Sequence, residues 1–260
     1  MSLSVTQRTG AGPGRLRGSP IVIAKSRWIA ALGAGALLLA GGTAASAGER
    51  ATNASHLERD VLAEINRARA NPREYAETLR EYRDFFDGRV LFLPGDQNGV
   101  ITNEGVDAVD EAIDFLERQE PLPPLGRAEL LTLAAQDHAD DQGATGGNGH
   151  VSRDGLSPGE RVRRHGGDIY VGEGIWYGSG DAGAVVRSLI IDDGVRGRGH
   201  RALLFQADFR FAGVGCGAHR RFGSICVVDF SGTADGSPVV PEWARARGGQ
   251  VFRMPATTKR

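Results

Sequence analysis

Apolar residues recur at helical spacing soon after residue 50. They lie three or four positions apart, at Leu57, Val61, Ile65 and Ala68. Residues 55–58 have the form of a capping box, so the pattern predicts a helix that begins at Ser55. The sequence Asn71-Pro72 ends this helix. It also begins a second helix, predicted to run to about Tyr82, because proline is favoured at the first helical position.

Two more helices are predicted before the middle of the chain. The third begins near Thr102 and carries regularly spaced apolar residues at Val106, Val109, Ile113 and Leu116. The fourth covers about residues 127–142 and follows an extended, proline-rich entry over residues 121–124. His138 lies on its apolar face, which makes it a core or cleft-wall residue. Residues 83–100 are partly apolar without regular spacing, and this predicts a long loop.

The second half of the chain is dominated by strand patterns. Residues 169–177 alternate between two faces and predict a strand, and residues 182–191 predict a helix. Residues that favour strands flank Arg221 on both sides and predict a hairpin that completes a sheet. From Gly232 onward the sequence favours an irregular, loosely packed segment, and it ends with several basic residues. Residues 234–260 are therefore predicted to form a flexible basic tail.

Composition and charge restrict the class of protein. With 260 residues and 40% apolar content, the chain suits one globular domain with a substantial core. The first 47 residues carry five basic and no acidic residues, which leaves 26 basic and 32 acidic residues, a net charge of −6, in the remainder. A weakly acidic body argues against nucleic acid as the main partner.

The basic beginning of the chain has the pattern of a signal peptide. Basic residues end at Arg27, an apolar run covers residues 28–40, and Ala45-Ser46-Ala47 provides a cleavage pattern. The apolar run is shorter than the roughly 20 residues that span a bilayer. We therefore expect residues 1–47 to be a signal peptide, with an uncleaved amphipathic anchor as the alternative. The mature protein is expected to be secreted, or periplasmic or in the cell envelope, with no transmembrane segment.

The two cysteines, Cys216 and Cys226, lie in the predicted hairpin. A turn near Arg221 places them opposite each other on the two strands. In an oxidising compartment a disulfide is expected, and two buried free thiols are the alternative. No histidine stands beside them at ligand spacing, which argues against zinc at this position.

Four short stretches contain residues suited to chemistry. They are G-H-V-S-R-D-G with His150, G-E-G-I-W-Y-G with Glu173, L-I-I-D-D-G-V with Asp192 and Asp193, and R-G-R-G-H-R with His200. Alternation puts Glu173 on the same strand face as apolar neighbours, and a buried carboxylate requires a hydrogen-bonding or metallic partner. Histidines from two flanking glycine-rich loops could supply that partner.

The remaining polar candidates have simpler interpretations. His56, His165 and His219 belong to no such constellation and are predicted to lie at the surface. Ser152 shows no evident pairing with a base. Asp192 and Asp193 could also do no more than end a helix and hydrogen-bond a turn.

Together these stretches resemble the CAP superfamily of cysteine-rich secretory, insect-venom-allergen and plant pathogenesis-related proteins. They are most similar to its bacterial exported branch. The resemblance begins at E-I-N-R-A-R in the first helix, includes P-L-P-P-L before the A-A-Q-D-H-A helix, and continues to Phe230. Pattern and resemblance together imply a three-layer α-β-α sandwich with a central, mostly antiparallel sheet. The CAP domain is expected over residues 55–233, with an N-terminal helical extension or insertion at about 83–120.

The resemblance also implies a cleft. In the family, a histidine after a helix, a glutamate in a G-E-N-I strand, a second acid and a later G-H form a tetrad. His150, Glu173 and His200 match three of these positions. The second acid usually lies on the predicted 182–191 helix, around residues 186–191, where this chain has no acid. Asp192 or Asp193 could substitute for it, or the site could be a triad.

A second departure from the family is Gly174, which stands where asparagine is usual. The resemblance implies that His150, Glu173, His200 and Asp192 could bind a divalent metal, which would be zinc, calcium or magnesium. No organic cofactor is expected.

Two functions are compatible with these residues. The first is an extracellular or envelope binding module, with a lipid, a glycan, a protein or another envelope component as its partner. The alternative is a metal-dependent hydrolase of peptide or cell-wall bonds, in which a metal or Glu173 activates water. No dedicated hydrolase motif such as H-E-x-x-H or G-x-S-x-G occurs in the sequence. A fold alone does not decide between binding and catalysis.

Overall fold

The computed structural model describes residues 42–240, with side chains from residue 56 onward. The helices are α1 (Gly42–Ala70), α2 (Pro72–Arg83), α3 (Val106–Arg118), α4 (Glu129–Thr145), α5 (Pro158–Arg164), α6 (Ala182–Ile191) and α7 (Gly199–Leu204). The strands are β1 (Phe86–Asp87), β2 (Val90–Leu91), β3 (Val100–Ile101), β4 (Gly126–Arg127), β5 (Gly172–Gly178), β6 (Phe211–His219) and β7 (Gly223–Ser231).

The main sheet has four strands in the order β4-β6-β7-β5. Strands β6 and β7 form the predicted hairpin, β5 is antiparallel to β7, and the short β4 is parallel to β6. The register places Glu173 opposite Asp229, and Asp229 opposite Gly213. Side chains of residues paired in this way lie on the same face of the sheet. Strand β5 is therefore an edge strand, and Glu173 shares its face with Asp229.

Helices cover both faces of this sheet. Helices α1 and α6 contribute to the large apolar cluster on one face, with sheet residues that include Val214 and Val228. Helix α4 packs on the other face, where Ala135 and Ala139 belong to one apolar cluster with Ile175. The predicted three-layer sandwich with a mostly antiparallel sheet is confirmed.

Helix α4 lies directly on the backbone of β6. A Cβ added to Gly213 would stand 2.1 Å from the amide nitrogen of Thr132, and one added to Gly215 would stand 2.3 Å from that of Gln136. A side chain at either position would separate the helix from the sheet. The two glycines therefore set the close spacing of these layers.

Cys216 and Cys226 are disulfide-bonded. They are opposite each other in the β6–β7 register, with their Cα atoms 4.2 Å apart. The prediction of a bridge is confirmed, and the alternative of two free thiols is excluded.

Residues 83–100 were expected to be a loop, and this expectation is wrong. Strands β1, β2 and β3 form a small antiparallel sheet there. Each strand has only two residues, which is too short for alternation to be visible in the sequence. Helix α3 begins at Val106 instead of near Thr102, after Gly105 in the left-handed region with φ 73°. A Cβ at Gly105 would lie 2.4 Å from the carbonyl oxygen of Gly88, so the turn requires glycine.

The predicted beginnings of three elements are also corrected. Helix α1 begins at Gly42, so residues 55–58 lie inside the helix and do not cap it. Glu58 instead accepts a hydrogen bond from the backbone N–H of Cys216 at 3.2 Å. Helix α4 begins at Glu129, because residues 126–127 pair with β6. Strand β5 begins at Gly172, because the backbone N–H groups of residues 168 and 170 donate to the 235–236 turn instead of to the backbone of β7.

Residues 1–41, which contain most of the predicted signal peptide, and residues 241–260 of the predicted tail lie outside the described residues. The first part of the predicted tail contacts the domain: the backbone N–H groups of Asp168 and Tyr170 donate to the carbonyl oxygens of Asp235 and Gly236. Between residues 42 and 240, no helix has both the length and the apolar character needed to cross a membrane.

Candidate functional site

A cavity of about 200 Å³ lies at the free edge of β5. One wall is the loop after α4, and the other is formed by α6, the loop after it and the beginning of α7. Its lining combines apolar, amide, hydroxyl, carboxylate and imidazole groups: Asn148, Gly149, His150, Ile175, Trp176, Tyr177, Ser188, Leu189, Asp192, Asp193, Val195 and His200. Both predicted histidines therefore border one cleft, each from a different wall.

His150 is paired with Glu173. The distance from His150 Nδ1 to Glu173 Oε1 is 2.8 Å. The side chain of Glu173 is 1% exposed and that of His150 is 48% exposed, so the carboxylate lies behind the ring. Because an ionised carboxylate can only accept, Nδ1 carries the hydrogen of this bond. The lone pair of the neutral imidazole is then on Nε2.

The second oxygen of Glu173 is held by Arg161. Helix α5 positions this arginine and begins with a capping box between Ser157 and Glu160. Arg161 is fully buried, and its Nη1 also donates at 3.1 Å to the carbonyl oxygen of His150 and to Ser152 Oγ. One guanidinium therefore connects the β5 carboxylate to the loop that carries His150.

A second acid, Asp229, lies behind this pair. It is fully buried opposite Glu173, and neither of its carboxyl oxygens has a hydrogen-bond partner; Arg161 Nε has none either. Burial, followed by the charge of Glu173, raises the pKa of Asp229 well above its usual range, while Arg161 lowers it. The neutral form of Asp229 is therefore favoured in the folded protein.

His200 is paired with Asp192 on the opposite wall. Its Nδ1 lies 2.7 Å from Asp192 Oδ1, and its backbone N–H donates to Asp192 Oδ2 at 2.9 Å. Asp192 ends α6 in the left-handed region with φ 57°, a conformation that aspartate tolerates better than most residues. By the same reasoning as for His150, the lone pair of the neutral His200 ring is on Nε2.

The adjacent Asp193 has a different role. Although it borders the cavity, its two oxygens accept from the backbone N–H groups of Asn103 and Glu104, each at 2.7 Å. Because of the left-handed conformation at Asp192, the side chains of the two neighbouring acids point in different directions. Asp192 contacts the histidine, and Asp193 attaches the wall to the predicted insertion at residues 83–120.

Arginines strengthen this attachment. Arg198 Nη1 donates at 2.7 Å to Glu104 and at 2.9 Å to the carbonyl oxygen of Asp192, and its Nη2 contacts Glu111. Arg201 is buried and donates to the carbonyl oxygen of Ile191 at 3.0 Å. The insertion therefore supports the loop that positions Asp192.

Comparison with known proteins identifies the family. The model of the cysteine-rich secretory protein family, CAP, matches residues 62–230, which is more than half of the chain. The chain belongs to the CAP family. A search of the curated proteins found no match.

Two solved structures are similar to this CAP protein. One is an extracellular protein containing a SCP domain from Bacillus anthracis, with 21% identity and a TM-score of 0.35. The other is a cysteine-rich secretory protein from Staphylococcus aureus, with 13% identity and a TM-score of 0.32. Each match covers 48% of this chain, and 37% and 36% of the respective relative. The CAP chain therefore corresponds to little more than a third of either relative.

A Ser–His pair of the CAP domain was missed in the sequence. Ser152 Oγ lies 2.9 Å from His138 Nδ1, so the expectation that Ser152 has no paired base is wrong. His138 Nε2 lies 2.8 Å from the carbonyl oxygen of Gly149 and 3.0 Å from Gln142 Nε2, so both an acceptor and a donor face this nitrogen. Burial lowers the pKa of His138 and favours its neutral ring. His138 is fully buried and does not line the cavity, so of the two predicted roles the structure supports a core residue.

The same loop is held from the other side by Tyr177. Its hydroxyl donates to Gln142 Oε1 at 2.6 Å and accepts from the Gly149 N–H at 2.9 Å. Burial raises the pKa of Tyr177 to about 12, so the phenol stays neutral. Gly149 is thus fixed through both its N–H and its carbonyl group, and the neighbouring His150 is held in place.

The other three histidines lie in three different environments. His219 was expected at the surface but is buried, with Nε2 2.8 Å from the carbonyl oxygen of Gly147. His219 is buried because it lies at the end of β6, where the loop after α4 covers it. His56 is exposed as expected, and His165 is partly buried against Asp137.

The predicted site residues are thus brought together as two pairs, His150–Glu173 and His200–Asp192. Among the residues whose side chains are described, no three histidine, cysteine or acidic side chains are grouped so that they could hold a metal ion. Arg161 and Asp229 were missed, since neither is adjacent to a histidine in the sequence. The one signal for Asp229 was its position inside the apolar run I-C-V-V-D-F.

Proposed function

We propose that this CAP protein is an exported binding module whose cleft holds a divalent cation between the imidazoles of His150 and His200. One observation supports the proposal above the others. Both rings border the same cavity, and each has a carboxylate on Nδ1 at 2.7–2.8 Å. Each neutral ring therefore keeps its Nε2 lone pair for a ligand.

The donor set fits a metal that prefers imidazole. Metal-binding histidines ordinarily donate their other ring N–H to a carboxylate, which fixes the tautomer and the ring orientation. Glu173 and Asp192 are in that position, so we assign them as orienting groups, with His150 and His200 as the ligands. Nitrogen ligands favour zinc over calcium or magnesium, which prefer oxygen. Water or groups of a bound partner would complete the coordination.

Binding is favoured over hydrolysis because of the state of Glu173. A general base needs a free oxygen near the water that it activates. Both oxygens of Glu173 are engaged, one by His150 and one by Arg161, and the side chain is buried. Ser152, the other nucleophile candidate, is buried and bonded to His138 and Arg161. The metal-dependent hydrolase therefore remains the second candidate.

Sequence and covalent structure support the proposed location. The first 47 residues have the pattern of a signal peptide, and the Cys216–Cys226 bridge is typical of oxidising compartments. The partner proposed for the cleft is a component of the exterior or the envelope, such as a lipid, a glycan or a protein. Trp176 and Leu189 would supply the apolar contacts.

Calorimetric titration with zinc tests the metal part of the proposal. We expect micromolar affinity, and His150→Ala and His200→Ala should each weaken it by at least about tenfold. His56→Ala is the matched control, because His56 is exposed and does not border the cleft. The absence of zinc binding, or an equal loss in the control, would contradict the proposal. Metal-dependent turnover of a peptide or cell-wall substrate would favour the hydrolase.

A further inference from the structure

The floor of the cleft is the free edge of a strand. In the described sheet β5 pairs with β7 on one side, and the cleft lies on its other side. The cavity is lined by the consecutive residues Ile175, Trp176 and Tyr177, whose side chains alternate between the two faces of the sheet. A cavity can contact three consecutive residues of a strand in this way only along the edge of the strand.

Such an edge presents main-chain hydrogen-bonding groups. In an antiparallel ladder, alternate residues direct their N–H and C=O groups toward the paired neighbour and away from it. The groups of β5 that point away from β7 therefore point toward the cleft. Glu173, Gly174, Ile175 and Trp176 are all buried, so this edge is recessed between the two walls. Recessed main-chain groups require partners, and an extended peptide offers a matching set.

Gly174 lies in the middle of this edge, and neither its backbone conformation nor its packing within the chain requires glycine. Its φ is outside the left-handed region. A Cβ at this position would be 3.6 Å from His200 Cδ2 and 3.8 Å from Phe230 Cε2, which are ordinary contacts. Gly213 and Gly215, in contrast, are required by helix packing. A glycine inside a strand weakens it, and such a glycine often marks a place where a ligand or another backbone approaches closely.

We infer that the cleft binds an extended peptide that adds to the sheet as a strand beside β5. This inference specifies the ligand of the proposed binding cleft and rests on that function. Main-chain pairing with β5 would supply affinity, and the walls would contact alternate side chains of the peptide. Leu189 and Val195 provide an apolar wall on one side, and Asn148 and His150 a polar wall on the other. A peptide with alternating apolar and polar residues fits both.

Nuclear magnetic resonance of the ¹⁵N-labelled protein can test this pairing at millimolar peptide concentration. The probe is the capped peptide acetyl-Val-Ser-Val-Ser-Val-amide, and its matched control carries N-methyl groups on alternate residues, which removes main-chain donors and keeps the side chains. We expect saturable shifts in the amides of residues 174–177 with the probe. The methylated control should bind at least about tenfold more weakly, the equivalent of one or two hydrogen bonds.

Variants separate the role of the edge from that of folding. Gly174→Ala should keep the melting temperature and weaken binding of the probe by about tenfold. The added methyl group points from the sheet face toward His200 and would crowd the peptide side chain that lies opposite it. Gly217→Ala is the matched control: it is also a strand glycine, and the nearest atom to its added Cβ is 3.9 Å away. The control should bind the probe like the wild-type protein.

Several results would overturn the inference. They are no shift at residues 174–177 with the probe, equal shifts with the methylated peptide, or shifts that grow with protein concentration alone, which would identify a second copy of the chain as the occupant. Zinc titration of the same samples, followed through the rings of His150 and His200, separates the two proposals. Zinc binding without peptide pairing would refute the peptide inference and support the cation proposal. Peptide pairing without zinc binding would support the peptide inference and refute the cation proposal.

Discussion

Replacing Arg161 with methionine should destabilise the protein strongly. The arginine is fully buried and is bonded to Glu173, to the carbonyl oxygen of His150 and to Ser152. The methionine variant leaves the buried Glu173 beside Asp229 with a single remaining partner, His150. Removing one member of a buried ion pair costs about 3–5 kcal/mol. For a domain of this size, that corresponds to a fall in melting temperature of roughly 10 °C.

Urea unfolding of a double-mutant cycle measures this effect. The cycle consists of Arg161→Met, Glu173→Gln and the double variant. Because the glutamine removes the uncompensated charge, the double variant should recover about 2 kcal/mol relative to the sum of the single changes. The control is Arg164→Met on the same helix, since Arg164 bridges Asp137 and Asp154 at the surface and should lose less than about 1 kcal/mol. If Arg161→Met were as mild as this control, the buried cluster would not stabilise the loop.

Three further predictions concern stability. Because the pKa of Asp229 is raised in the folded state, its favourable contribution is complete below the unfolded pKa and is lost as the pH rises through the folded pKa. The melting temperature of Asp229→Asn relative to that of the wild type should therefore increase as the pH rises above about 4, the ordinary pKa of an aspartate. The Cys216–Cys226 bridge closes a separation of 10 residues, so replacing both cysteines with alanine should cost about 3 kcal/mol in urea unfolding, and reductant should then have no additional effect. Gly213→Ala should lose about 3 kcal/mol because of the contact with α4, and a calorimetric melting temperature equal to that of the wild type would contradict this packing.

The sequence predicted those features that depend on regular spacing. Alternation in β5 placed Glu173 on a buried face, and this led correctly to the expectation of a partner. The order of the helices and the hairpin that joins the cysteines follow from the same periodicities. Features that depend on contacts between distant elements were not predictable in this way. Arg161 lies on a helix of seven residues, which is too short to show which of its faces is buried.

Adjacent acids show a second limit. Asp192 and Asp193 are equivalent in the sequence, and their roles are decided by one left-handed backbone conformation at the end of α6. Arg198 contacts the carbonyl oxygen of Asp192, and the predicted insertion contacts the carboxylate of Asp193. Neither contact is evident from the sequence. The two-residue strands of the insertion were missed for a related reason, since pairing over such short segments leaves no pattern.

The attachment between Asp193 and the backbone of Asn103 and Glu104 has a consequence for protein engineering. Shortening the chain to a minimal domain by deleting residues 84–118 would also remove the carboxylates that hold Arg198. The turn that aims Asp192 at His200 would lose its outer support, although no deleted residue borders the cavity. The shape of the cleft therefore depends partly on a segment that contributes no residue to its lining and would appear dispensable when a shortened protein is designed.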